Sequence, residues 1–87
     1  MIKDKQQKDY ITQAKRRETQ AATCRQQANA LRAEYAHFLD DYAFITQPGR
    51  FALREKVYRK LAAAYDLNCK ASKLERTASR LRRLASN

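Results

Sequence analysis

Proline and glycine occur once each in this chain of 87 residues, and they stand side by side at Pro48 and Gly49. Elsewhere the sequence draws on strong helix formers, chiefly Ala, Gln, Leu, Lys and Arg, with few of the turn residues that a sheet requires between strands. Such a chain has one obvious place to bend. Pro48 removes a backbone donor and pushes Gln47 away from helical geometry, while Gly49 accepts the positive φ favoured at a helix end. The stretch Thr46-Gln47-Pro48-Gly49 therefore reads as the bend of a hairpin rather than as a working loop. Proline also suits the first helical position, so the second helix can open at Pro48 or Gly49.

Apolar periodicity supports helices on both sides of the bend. Upstream, Tyr10, Ala14, Ala21, Cys24, Ala28, Leu31, Tyr35, Phe38, Tyr42 and Ile45 recur in alternating steps of four and three once Arg17 fills one slot. Downstream, Leu53, Val57, Leu61, Ala64, Leu67, Ala71, Leu74, Ala78, Leu81 and Ala85 continue the same pattern, with a slip between Leu61 and Leu67 that reads as a stutter. Sustained heptad spacing of this kind makes a coiled-coil-like seam. The expectation is an all-α, single-domain chain over 1–87: helix 1 over about 3–46, a turn at 47–49, and helix 2 over about 50–85, paired antiparallel as an αα-hairpin. Residues whose numbers sum to about 96 or 97 should then lie opposite each other along helices rising 1.5 Å per residue.

Much of that seam is alanine, which allows close approach but buries little area. Self-association into a four-helix bundle, or docking on another protein, is the expected source of further burial. A second stripe, Phe51, Tyr58 and Tyr65 with Ala62 and Cys69, lies beside the seam of helix 2 and offers two readings. The aromatics either thicken the hairpin's own core near the turn or form a protein interface, where tyrosine is favoured.

Charge supplies the functional signal. Nineteen Lys and Arg against nine Asp and Glu give a formal charge of +10, which repels itself unless something anionic relieves it. Residues 1–25 and 70–87, brought together at the open end, hold 13 basic side chains against 4 acidic ones; residues 26–69 hold 6 against 5. The helix macrodipole accounts for cations near the carboxyl end of helix 2 but has the wrong sign for those of helix 1. Lys15, Arg16, Arg17, Arg25, Lys73, Arg76, Arg80, Arg82 and Arg83 are therefore the candidate binding residues. Lys73, Arg76, Arg80 and Arg83 follow three-four-three spacing along one flank, with Arg16 and Lys15 expected across from them. With no interleaved aromatics apart from Tyr10, contact with nucleic acid would be electrostatic and weakly sequence-selective.

Other chemistries find little footing. Two cysteines far apart and one histidine, His37, do not make a metal-ligand pattern, and no cofactor is expected. Cys24 and Cys69 would need a slide of register to meet, so free, buried thiols are expected. One glycine precludes a glycine-rich phosphate loop or nucleophile elbow, and a chain this short is a poor enzyme. No secretory signal opens the sequence, and the longest apolar run, Leu61 to Tyr65, is far too short to span a bilayer. The expectation is a cytoplasmic, non-enzymatic regulator or accessory factor, of a kind found in mobile elements, that contacts nucleic acid or a nucleoprotein and dimerises. The competing reading is a protein-only adaptor or inhibitor whose basic face fits an acidic groove on its target.

Overall fold

A computed structural model describes residues 4–41, 46 and 48–86. Helix α1 spans Asp4–Tyr35 and runs on as a 3-10 segment over Ala36–Asp40; a 3-10 turn over Pro48–Arg50 leads directly into helix α2, Phe51–Ser86. The long helices pack antiparallel. Gln7 Nε2 near the start of α1 donates to the Ala85 carbonyl near the end of α2 at 3.0 Å, occupying a carbonyl that the helix terminus leaves without a partner. Cys24 meets Ala71 and Arg25 meets Ser72, pairs whose numbers sum to 95 and 97, as the fold-back about Pro48-Gly49 requires. The result is a rod with Cα extents of 65 × 17 × 14 Å and a radius of gyration of 19.3 Å. A globular chain of this length would have a radius of gyration of about 12 Å.

Helix α1 gives way at Tyr35, and the backbone tightens to 3-10 geometry before Asp41 becomes extended at φ −91°, ψ 109°; Thr46 is again helical. Asp40 and Asp41 account for this: carboxylates oppose the negative end of a helix dipole, and aspartate favours turns over helix interiors. The Asp41 N–H closes the segment by donating to the Phe38 carbonyl at 3.2 Å. Tyr42–Ile45 and Gln47, assigned from the sequence to helix 1 and the turn, lie outside the described residues. Pro48 does open the next helical segment, but Gly49 does not take the expected positive φ. Its surroundings are open, since an added Cβ would meet nothing within 4 Å.

Every seventh residue forms the core. Ala14, Ala21 and Ala28 on α1 and Val57, Ala64, Ala71, Ala78 and Ala85 on α2 are buried, joined by Cys24. Val57 is the largest fully buried side chain among the described residues. Small side chains at a strict seven-residue repeat let two helices pack closely along their whole length. The leucine half of the seam is only half-buried: Leu53, Leu67, Leu74 and Leu81 on α2, like Tyr10, Leu31 and Phe38 on the α1 side, flank the alanines rather than joining them.

Helical rotation divides these neighbours into two flanks. A residue three positions after a core alanine turns about 300°, and one four positions after turns about 400°, so the two emerge on opposite sides of the seam. Cys24, Leu31, Leu67, Leu74 and Leu81 belong to the first set, which makes a leucine flank. Glu18, Arg25, Asn68, Glu75 and Arg82 belong to the second, and their mutual bonds show that this set shares one side of the rod. At Leu61 the leucine crosses to the polar flank while Lys60 takes its place, which is the local slip anticipated between Leu61 and Leu67.

Candidate nucleic-acid interface

Of the nine candidate basic residues, two are tied across the helices by ion pairs on the exposed polar flank. Arg25 donates from Nε to Glu75 Oε1 at 3.0 Å, from Nη1 to Asn68 Oδ1 at 3.2 Å and from Nη2 to Ser72 Oγ at 3.3 Å, with a second, shorter bond to Glu75. Arg82 grips Glu18 with two nitrogens, Nη2 to Oε2 at 3.1 Å and Nε to Oε1 at 2.5 Å. The hydrogen bond from Arg82 holds the Glu18 carboxyl below the usual glutamate range against the opposing effect of burial, with the charges of Arg82 and then Lys15 adding to the lowering. Glu18 reciprocally raises the Arg82 guanidinium. These pairs fasten α1 to α2 on the polar flank. The carboxylate partners went unassigned in the sequence, although a signal was present: Glu18, Arg25, Glu75 and Arg82 each follow a core alanine by four residues.

Arg17 occupies a seam position, half-buried on the leucine flank. The other six candidates, Lys15, Arg16, Lys73, Arg76, Arg80 and Arg83, are exposed and make no ion pair among the described residues. Lys73 and Arg80 follow core alanines by two residues, while Arg76 and Arg83 precede core alanines by two. Two residues turn about 200°, so all four project from the outer face of α2, away from α1. Arg76, Arg80 and Arg83 line a shallow depression there with Ser79 and Glu75. Lys73 to Arg83 covers about 15 Å of helix, the length of about four phosphates on one strand of a duplex.

Arg16 does not join this strip. It stands two residues after Ala14 and therefore leaves the outer face of α1, on the opposite edge of the rod. Lys15 leans instead toward the polar flank, where it acts on Glu18. The expected facing of Arg16 and Lys15 with the α2 strip thus fails, because the bodies of both helices intervene. The open end carries two basic edges.

The aromatic stripe is also placed outside the core. Phe51, Tyr58 and Tyr65 are 64%, 50% and 64% exposed, so they do not thicken the hairpin's own interior. Tyr58 and Tyr65 each follow a core residue, Val57 and Ala64, by one position, and the seven-residue row from Phe51 through both continues as Ser72 and Ser79. Ser72 bonds Arg25, which assigns the row to the polar side of the rod. The Tyr65 hydroxyl is pushed above the ordinary phenol range, first by its hydrogen bond to Cys69, then by the charge that thiol can carry, with burial and Asp66 adding to the shift. Cys24 and Cys69 are both free; the first is buried on the leucine flank and the second is only half-buried, short of the burial expected of it. His37 is exposed beside the Phe38 ring, with centroids 4.3 Å apart.

Among the described residues, no group of three or more His, Cys, Asp or Glu could hold a metal ion, and no helix is long and apolar enough to cross a membrane. Comparison with models of protein families, with curated proteins and with solved structures finds no match to this chain.

Proposed function

We propose that this chain is a small non-enzymatic binding protein, a cytoplasmic regulator or accessory factor whose outer α2 strip of Lys73, Arg76, Arg80 and Arg83 tracks the phosphate backbone of nucleic acid or of a nucleoprotein. One observation carries the reading: Arg25 and Arg82 find carboxylates within the hairpin, whereas the strip leaves four adjacent cations without an ion-pair partner among the described residues. Crowded like charges raise the energy of the folded chain, and phosphates at matching spacing would relieve them while releasing counterions. With no aromatic beside the strip to stack on bases, binding is weakly sequence-selective. A second copy of the chain supplies burial that an alanine seam cannot, making a four-helix bundle. The exposed row of Phe51, Tyr58 and Tyr65 favours a second reading, in which those aromatics dock on a protein and the basic edge fits an acidic groove.

Fluorescence anisotropy with labelled RNA and DNA, in single-stranded and duplex form, tests the proposal. Four phosphate contacts predict a loss of about 100-fold in affinity between 50 and 200 mM salt. Replacing Arg76 and Arg80 together by Gln should lower the slope of log affinity against log salt by about 2 while leaving helicity unchanged. Absence of binding even at low salt would sink the nucleic-acid reading and turn attention to acidic protein targets.

A further inference from the structure

We infer that the leucine flank is covered by a second copy of this chain, lying antiparallel to the first so that the basic end of each rod rests beside the turn end of the other. This rests on the self-association proposed above and not on nucleic-acid binding, and it assigns the contact to a different face from the aromatic row.

Exposed area points to a missing neighbour. The accessible surface is 6654 Å². A folded monomer of this mass is expected to expose about 5,300 Å², so the rod carries an excess of roughly 1,300 Å², more than the roughly 800 Å² that each partner contributes to a standard interface. The excess cannot be removed on the polar flank without burying the Arg25–Glu75 and Glu18–Arg82 pairs. Desolvating such pairs is costly. Covering half-buried leucines is favourable.

Symmetry points to a copy rather than to another protein. On α1 and its 3-10 extension the leucine flank runs from Tyr10 to Phe38 with Cys24 midway; on α2, Leu67 and Leu74 pack against the cluster of Ala21, Cys24 and Ala71, one on either side of the Cys24 level. A two-fold axis across the rod at Cys24 lays α1 on α1 and α2 on α2, matching Tyr10 with Phe38 and Leu67 with Leu74 across the contact. An isologous contact requires such self-complementarity.

Charge then selects the orientation. Parallel rods would bring together two ends that each hold 13 basic against 4 acidic side chains; antiparallel rods set each of those ends beside a region holding 6 against 5. The same operation brings Arg17, seven residues from Cys24 toward the open end, to the level of Glu34 in the second copy, ten residues from Cys24 toward the turn. The difference of three residues is about 4.5 Å along the helix, within reach of an arginine. Arg17, a seam cation with no ion-pair partner among the described residues of its own hairpin, thereby gains one.

Two readouts on the whole chain at 0.15 M salt decide the matter, after its mass is measured by sedimentation. A spin label at position 8, as Lys8→Cys with Cys24→Ser and Cys69→Ser, should report an interchain distance of about 48 Å, the rise of 32 residues; a parallel pair would give no more than about 30 Å across helices spaced 8–10 Å apart. In a Cys69→Ser chain, diamide oxidation should link Cys24 to Cys24 of the second copy, because both thiols sit near the two-fold axis; a dimer formed through the polar flank or the aromatic row would hold them apart and stay unlinked. A dimer with a short label distance or without the Cys24 link overturns this arrangement and leaves self-association standing. A monomer in sedimentation overturns both.

Discussion

The two long flanks of this rod start from the same backbone geometry and reach opposite solutions. On one side, residues four positions past the core alanines are charged and polar, and they pair across the helices: Glu18 with Arg82, and Arg25 with Glu75, Asn68 and Ser72. On the other, residues three positions past are mostly leucine, and they stay half-buried. A polar flank is satisfied by its own hairpin because hydrogen bonds saturate. An apolar flank is not, because hydrophobic burial continues to gain with every further square ångström covered. One face of the hairpin is thus satisfied internally, and the other leaves apolar area in contact with solvent.

The comparison depends on the alanine seam that holds the flanks apart, and the largest effect is expected there. Ala71 is fully buried against Ala21 and Cys24. Ala71→Leu should force the helices apart and cost about 2–3 kcal/mol, read as a lower urea midpoint with unchanged m-value. A variant as stable as the parent would mean that the helices do not pack as closely as the seam requires.

A smaller effect separates the flanks directly. Leu74→Ala should cost about 2 kcal/mol at high protein concentration, where the proposed second copy would cover the side chain, and less when the chain is dilute. Arg25→Gln, on the exposed polar flank, should cost no more than about 1 kcal/mol whatever the protein concentration, and less in high salt. Thermal melts over a hundredfold dilution series check both. Equal concentration dependence in the two variants would erase the distinction between the faces.

The smallest and most local test is the titration of Glu18. Its carboxyl is lowered in the folded chain by Arg82, so its contribution to stability is present above the ordinary glutamate pKa and is lost as pH falls through the lower folded value. Carboxyl chemical shifts followed by NMR should show Glu18 titrating below the other glutamates, and Arg82→Gln should return it toward them. A midpoint unmoved by Arg82→Gln would remove the pair from the polar flank.

Much of this architecture is legible in the sequence alone. Val57, Ala64, Ala71, Ala78 and Ala85 repeat every seventh residue, and that local period is enough to specify an amphipathic helix and its core stripe. The candidate binding residues were legible as a group but not in their arrangement. Arg25, Arg82, Arg76 and Arg80 look alike in a count of charges, and only their rotation about the helix axis separates the first two, bonded within the hairpin, from the second two on its outer face.

By itself the sequence determined that the chain is helical, that it bends once near Pro48-Gly49, and that its positive charge concentrates where the described ends of α1 and α2 meet, because propensity, periodicity and charge are properties of neighbours along a chain. Tertiary structure decided which half of the seam is buried and that Arg16 and the α2 strip occupy opposite edges. Those outcomes depend on how one helix is rotated against another. Rotation is settled by packing small side chains across a gap, and no stretch of either helix alone records what lies on the far side.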